Sequence, residues 1–183
     1  MIFSQRINHP ALVASDTEAT IKFYTEIMHM PMVLRQPNLD DPSLEHIFFD
    51  AGSNCFIAFF GPAAGYPPNT KMAEGGRVGY MKHLAFDVTP EVFQEALEYL
   101  PANGIKYRGP IDRGYERSIY FPDPNGITLE FLTWITPPPE DIPQGVIIKR
   151  AQDLREAEGA HHIEDAHIRR AIAELQAERA AVS

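Results

Sequence analysis

Short apolar runs and helix-spaced apolar positions alternate along this chain, and the alternation happens twice. Ile7 to Val13 is apolar and too short for a helix. Asp16 follows as an N-cap ahead of Ala19, Ile21, Phe23, Tyr24, Ile27 and Met28, whose spacing is roughly helical. After Pro31 come three strand-like runs, Met32 to Arg35, His46 to Phe49 and Cys55 to Phe60. Asp50, Gly52, Ser53 and Asn54 punctuate the last two as a hairpin turn. The same order then returns. Lys82 to Val88 reads as a strand, and Pro90 opens a helix with Val92, Phe93, Ala96, Leu97 and Leu100 on one face, closed by Asn103-Gly104. Ile105 to Arg108, Arg117 to Phe121 and Ile127 to Trp134 follow as strands, the last two joined by Asp123-Pro124-Asn125-Gly126.

The two halves align residue by residue. Ile47-Phe48-Phe49 lies 72 positions before Ile119-Tyr120-Phe121, and the same offset lays Ala58-Phe59-Phe60 on Glu130-Phe131-Leu132. At the other end His9-Pro10-Ala11-Leu12 lies 74 positions before His83-Leu84-Ala85-Phe86. A duplicated βαβββ module is the economical reading. The expected fold is α+β, with two tandem modules forming one cupped mixed sheet over residues 6–135. Module one takes 6–61, a Gly- and Pro-rich linker 62–79, and module two 80–135. Pro137-Pro138-Pro139 ends the second module. Residues 136–183 form a helical extension, where Ala151, Leu154, Ala171, Ile172 and Leu175 are spaced as one or two amphipathic helices that pack on the body or on a partner.

Composition narrows the function classes. With 183 residues, 44% hydrophobic and 22% charged, the chain can bury a core and is too apolar to be disordered. A net charge of -9 gives no general attraction to phosphate backbones or anionic lipid, so nucleic acid and membrane are not expected as partners. No run of about 18 apolar residues is present, and a single cysteine, Cys55, read as a buried strand residue, suits a reducing compartment. A cytoplasmic protein is expected.

Candidate chemistry sits at repeat-related positions. His9 and His83 stand near the start of each module's first strand, each two residues ahead of an alanine, so period two puts each His and its Ala on one face. Glu130 interrupts the apolar run Ile127 to Leu132, where an unpaired carboxylate carries a large desolvation penalty. Either histidine alone could be a hydrogen-bonded strand residue, and Glu130 alone half of a buried ion pair. Together they form a two-His, one-carboxylate set that leaves metal positions open, and Fe(II), Mn(II) or Zn(II) all suit it. Arg113, Tyr115 and Arg117 alternate and could meet an anionic substrate or form surface salt bridges. His161, His162 and His167 in the tail are read as exposed or packing residues. Phe48, Phe56, Phe59 and Phe60 are read as mostly core, with one face of their strands lining an apolar pocket wall.

Tyr120-Phe121-Pro122-Asp123-Pro124-Asn125-Gly126-Ile127-Thr128-Leu129-Glu130 resembles the aromatic residue, Asp-Pro-x-Gly turn and metal-binding glutamate of the vicinal oxygen chelate superfamily. That superfamily includes glyoxalase I, extradiol ring-cleaving dioxygenases, fosfomycin-resistance enzymes and bleomycin-binding proteins. His83-Leu84-Ala85-Phe86 is similar to its second histidine strand. The resemblance spans Ile7 to Trp134 and implies one divalent ion held by His9, His83 and Glu130, with a small-molecule substrate and a homodimer as an option. Glyoxalase I enzymes usually add a glutamate at the repeat equivalent of Glu130, where this chain has Ala58. Extradiol dioxygenases share the three ligands and a tyrosine like Tyr120. Their acid–base histidine ahead of that tyrosine is missing here, so His46 becomes the candidate. That reading leads, and with it Fe(II). Fosfomycin-resistance enzymes are the rival, since Arg117-Ser118-Ile119-Tyr120-Phe121 is similar to their substrate strand and Glu45 precedes the module-one aromatic strand as the general base of their epoxide-hydrolysing branch does. Ser118, Arg117 and Phe59 are the expected substrate contacts. The alternative from another class is a ligand-sequestering protein like the bleomycin-binding members.

Overall fold

The computed structural model describes residues 7–38, 41–53, 55–65, 81–112 and 114–181. They fall into two compact units, the first running to Lys82 and taking in Pro122–Thr128, the second comprising His83–Phe121 and Leu129–Ser183. Most of the expected linker, residues 66–79, lies outside the described residues. The architecture is α+β, with two βαβββ modules in tandem and helices at the C-terminal end.

In the first unit β1 (Ala11–Val13) leads into α1 (Thr17–Lys22), which a π-helical turn (Phe23–Ile27) continues, and then into β2 (Met32–Pro37), β3 (Leu44–Asp50) and β4 (Phe56–Pro62). Asp16 caps the helix, its carboxylate accepting the Ala19 N–H at 2.8 Å. The sheet order is β1-β4-β3-β2, with β1 parallel to β4 and the other pairs antiparallel. A parallel neighbour requires a crossover, which α1 and the following strands provide. The register sets Ile47 beside Phe59 and Phe49 beside Ile57. All four are buried, and the Tyr24 ring packs on Phe49 at 5.1 Å and on Phe59 at 5.0 Å. Each such side chain contributes about 1.5–3 kcal/mol by leaving water. The opposite face of the same strands carries His46, Phe48, Ala58 and Phe60.

The turn Asp123 to Gly126 belongs to this unit. Asp123 accepts the backbone N–H groups of Asn125 and Ile127, both at 2.8 Å, and the Tyr24 hydroxyl at 3.3 Å. Asn125 Oδ1 accepts the Ser15 N–H at 2.7 Å. Burial pushes the Asp123 carboxyl above its ordinary range despite these donors.

The second unit repeats the plan with β5 (Leu84–Asp87), α2 (Pro90–Ala102), β6 (Arg108–Asp112), β7 (Glu116–Pro122) and β8 (Thr128–Trp134) in the order β5-β8-β7-β6. Ala11 lies beside Ala58 in the first sheet and Ala85 beside Glu130 in the second, so the duplicated positions are also structurally equivalent. One strand differs from expectation. The run Ile105 to Arg108 only reaches pairing at Arg108, and β6 continues through Gly109-Pro110 to Asp112. Arg108 pairs with Tyr120 and Ile111 with Ser118, so the register slips between them. Gly109 has φ +122 and sits so close to β7 that a Cβ would meet the Ser118 carbonyl oxygen at 2.7 Å. An edge strand tolerates this slip and the missing proline N–H, where a central strand would not.

The tail forms α3 (Gln144–Glu158) and α4 (Asp165–Ala180). Ala151, Leu154, Ala171 and Leu175 turn inward as their spacing predicts, and they close a core with Trp134, Ile142, Ile147 and Ile168. His161 and His162 are exposed. His167 is buried, its Nδ1 accepting the Glu164 N–H at 2.9 Å. Among the described residues no helix is long and apolar enough to cross a membrane.

Candidate functional site

His83 immediately precedes β5, and Glu130 occupies the middle of β8 opposite Ala85. Because His83 and Ala85 are two apart, His83 faces the same side as Glu130. Its Nε2 lies 3.0 Å from Glu130 Oε2, with the carboxylate side chain 5% exposed and the imidazole 42% exposed. Tyr120 completes this face. The β7–β8 hairpin is closed by Asp123 N–H to the Ile127 carbonyl at 2.9 Å and by Ile135 N–H to the Tyr115 carbonyl at 2.8 Å. That register puts Tyr120 opposite Glu130 and Ser118 opposite Leu132. The Tyr120 ring stands edge-on to His83 at 5.7 Å, and the Arg108 guanidinium lies over the Tyr120 ring at 5.4 Å.

Arg108 was not foreseen from the sequence. Its signal is the repeat: it lies 74 positions after Leu34, the β2 partner of Phe48, and so holds the same place beside Tyr120.

The equivalent face of the first unit holds His9 and His46. His9 Nδ1 is 2.6 Å from Asn8 Oδ1, and its ring is 4.8 Å from Phe48. His46 stacks on Phe60 at 4.4 Å and meets Phe48 edge-on at 4.7 Å. Its Nε2 is buried and has no hydrogen-bond partner among the described residues. Burial, reinforced by the neighbouring His9, holds the His46 imidazole below its ordinary pKa. Ala58, fully buried at the position equivalent to Glu130, offers no coordinating atom.

Several expected contacts lie elsewhere. Glu45 shares the helix-facing side of β3 with Ile47 and is tied by Arg35 at 2.7 Å, which also reaches Glu18 at 2.6 Å. It is not brought to the side of His46. Phe59 is fully buried against Tyr24 and Phe49, so it is a core residue, while Phe48 and Phe60 lie against His46 on the opposite face. Arg117, one residue from Ser118, points away from the Tyr120 side and is exposed. Ser118 shares the Tyr120 side but is fully buried, its Oγ without a partner among the described residues. Cys55 is half-buried just ahead of β4 rather than inside it. Tyr115 packs edge-on to Trp134 at 5.4 Å, and Arg113 lies outside the described residues.

The 3.0 Å between His83 Nε2 and Glu130 Oε2 is that of an ordinary hydrogen bond or ion pair, and an imidazole and a carboxylate are also donor types that divalent metals accept. Among the described residues no group of three or more His, Cys, Asp and Glu side chains stands together, and His9 lies in the first unit while His83 and Glu130 lie in the second.

Residues 6–131 match the family model for the Glyoxalase/Bleomycin resistance protein/Dioxygenase superfamily. The chain belongs to this superfamily. Among curated relatives it is similar to the metallothiol transferase FosB of Staphylococcus epidermidis, 25% identical over 129 residues, which are 69% of this chain and 80% of that protein. Among solved structures it is similar to a candidate dioxygenase from Bacillus subtilis, with TM-score 0.59 and 25% identity over 69% of this chain. The match spans only 40% of that structure's length. A FosX variant from Listeria monocytogenes, complexed with Mn(II) and 1S,2S-dihydroxypropylphosphonic acid, shares the fold at TM-score 0.54 and 21% identity, covering 70% of this chain and 92% of that one. The superfamily fold accounts for both βαβββ modules, and the α3–α4 hairpin lies beyond the matched residues.

Proposed function

We propose that this superfamily member is a metal-dependent enzyme that chelates two adjacent oxygens of a small, negatively charged substrate. The observation that carries the reading is the buried Glu130 carboxylate 3.0 Å from His83, with Tyr120 and Arg108 on the same face. His9, His83 and Glu130 would hold the ion, and Mn(II), Zn(II) or Fe(II) is compatible with those donors. When bound, the ion supplies Lewis-acid polarisation of a substrate oxygen. Tyr120 would orient the substrate through its hydroxyl, and the Arg108 cation would hold an anionic group such as a phosphonate or carboxylate. Ala58 supplies no coordinating side chain at the position equivalent to Glu130, which disfavours a glyoxalase I reaction. A fosfomycin-type ring opening by an added thiol accords with the metallothiol transferase relative and with Arg108. Water as the nucleophile fits less well, since Glu45 is held by Arg35 on the other face.

The extradiol dioxygenase, favoured from the sequence alone, becomes the second reading. His46 supports it, because a neutral imidazole with an unpartnered Nε2 is suited to proton transfer. Reconstitution under anaerobic conditions with Mn(II), Zn(II) or Fe(II), followed by parallel assays, separates the readings. Thiol-adduct formation from fosfomycin is the expected result. Oxygen uptake with catechols but no adduct would transfer the assignment to the dioxygenase. Failure to retain any metal would overturn both and favour ligand sequestration.

A further inference from the structure

The α3–α4 hairpin packs on the same side of the second sheet as the His83–Glu130 pair. Period two places Leu132 and Trp134 on the face of Glu130. These are the β8 residues that join the hairpin core around Ile147, Ala151 and Ile168, while Leu129, Phe131 and Thr133 do not. The first unit, which has no hairpin, provides the contrast. There Pro62 and His46, at the positions of Trp134 and Ser118, are half-buried, while Phe60 is half-buried like its counterpart Leu132. In the second unit Ser118 is fully buried and Trp134 is 7% exposed.

The hairpin is also fastened to the loop between β6 and β7. Asp165 N–H donates to the Gly114 carbonyl at 2.9 Å. Gly114, at φ +96, approaches the chain so closely that a Cβ would meet the Ile163 carbonyl oxygen at 2.6 Å. Arg169 adds a bond to Thr136 Oγ1 at 3.1 Å. Same-face neighbours along a strand are about 7 Å apart, so the hairpin begins one side chain beyond the Glu130 carboxylate.

We propose that the hairpin is a specificity wall. A substrate held at His83 and Glu130 cannot extend along β8 past Leu132, so the site selects compact substrates over those carrying an aryl or long-chain group on that side. This rests on the metal-dependent reading above, and its test reads binding rather than turnover. The protein is loaded with Co(II) and titrated with acetohydroxamate and benzohydroxamate, small and bulky bidentate oxygen ligands, followed by visible absorption of the ion. The wild type should bind the small ligand at least tenfold more tightly. Leu132→Ala should narrow that ratio by about tenfold. Gly114→Ala, which pushes the hairpin away without touching β8, should narrow it in the same direction, and circular dichroism establishes that each variant is folded. Equal binding of both ligands by the wild type, or an unchanged ratio in the folded variants, would overturn the wall while leaving the metal site standing. A wild type that takes up no Co(II) would overturn the metal reading and the wall with it.

Discussion

A carboxylate in the middle of an apolar strand is costly to keep unless something positive faces it, and Glu130 meets the His83 imidazole at 3.0 Å. Tyr120, beside that pair, is the residue whose hydroxyl chemistry can be separated from its packing. Tyr120→Phe removes one oxygen and leaves the ring against His83 and Arg108. Metal content should be unchanged, while turnover of the true substrate should fall at least about tenfold, equivalent to about 1.4 kcal/mol. Unchanged turnover would reduce Tyr120 to packing. His46 makes a second prediction, for the metal-free protein. Its folded pKa is depressed by burial and by His9, so below the ordinary value near 6.5 the unfolded chain binds the proton more readily than the native one. Stability is therefore full above that value and declines as pH falls through it. Urea midpoints measured at pH 7.5 and 5.5 should show this decline, and His46→Phe, which keeps a ring against Phe60, should make it smaller.

At the scale of elements, the hairpin is held by apolar contact and by few hydrogen bonds to the sheet. Ile147 is fully buried in the hairpin core together with Trp134, the chain's single tryptophan. Ile147→Ala removes three carbons and leaves a cavity, at a cost of about 2–5 kcal/mol. Urea unfolding followed by tryptophan emission should show the loss directly, because the reporter lies in the damaged cluster. A loss below about 1 kcal/mol would mean that α3 contributes little to holding Trp134.

For the whole molecule, a bound ion should stabilise the fold, and substituting each proposed ligand in turn shows which of them hold it. An ion that binds only the native state adds about 2.7 kcal/mol at a hundred times its Kd. Mn(II) should raise the thermal midpoint of the wild type. Both His9→Ala, in the first unit, and Glu130→Gln, in the second, should abolish most of that rise. A full rise in His9→Ala would remove His9 from the ligand set.

The order of elements was legible in the sequence because its determinants are local: apolar period, the Asp16 cap, the Asp123-Pro124-Asn125-Gly126 turn. The duplication also carried the pairing of His83 with Glu130, since equivalent strands take equivalent registers. Counting by two from Ala58 and from His46 sends Phe59 and Glu45 to the helix side, so their placement is written in the sequence. Arg108 was legible through its repeat position after Leu34, whereas the register slip at Gly109-Pro110 was not, because it depends on how closely β6 can approach β7, which no pattern of residue types records. The tail's inward stripe was predictable from its spacing, but its seat on Leu132 and Trp134 was not. Amphipathic periodicity says that a helix must bury one side. Only the packed structure decides which surface receives it, because apolar contact is non-directional and is selected by shape.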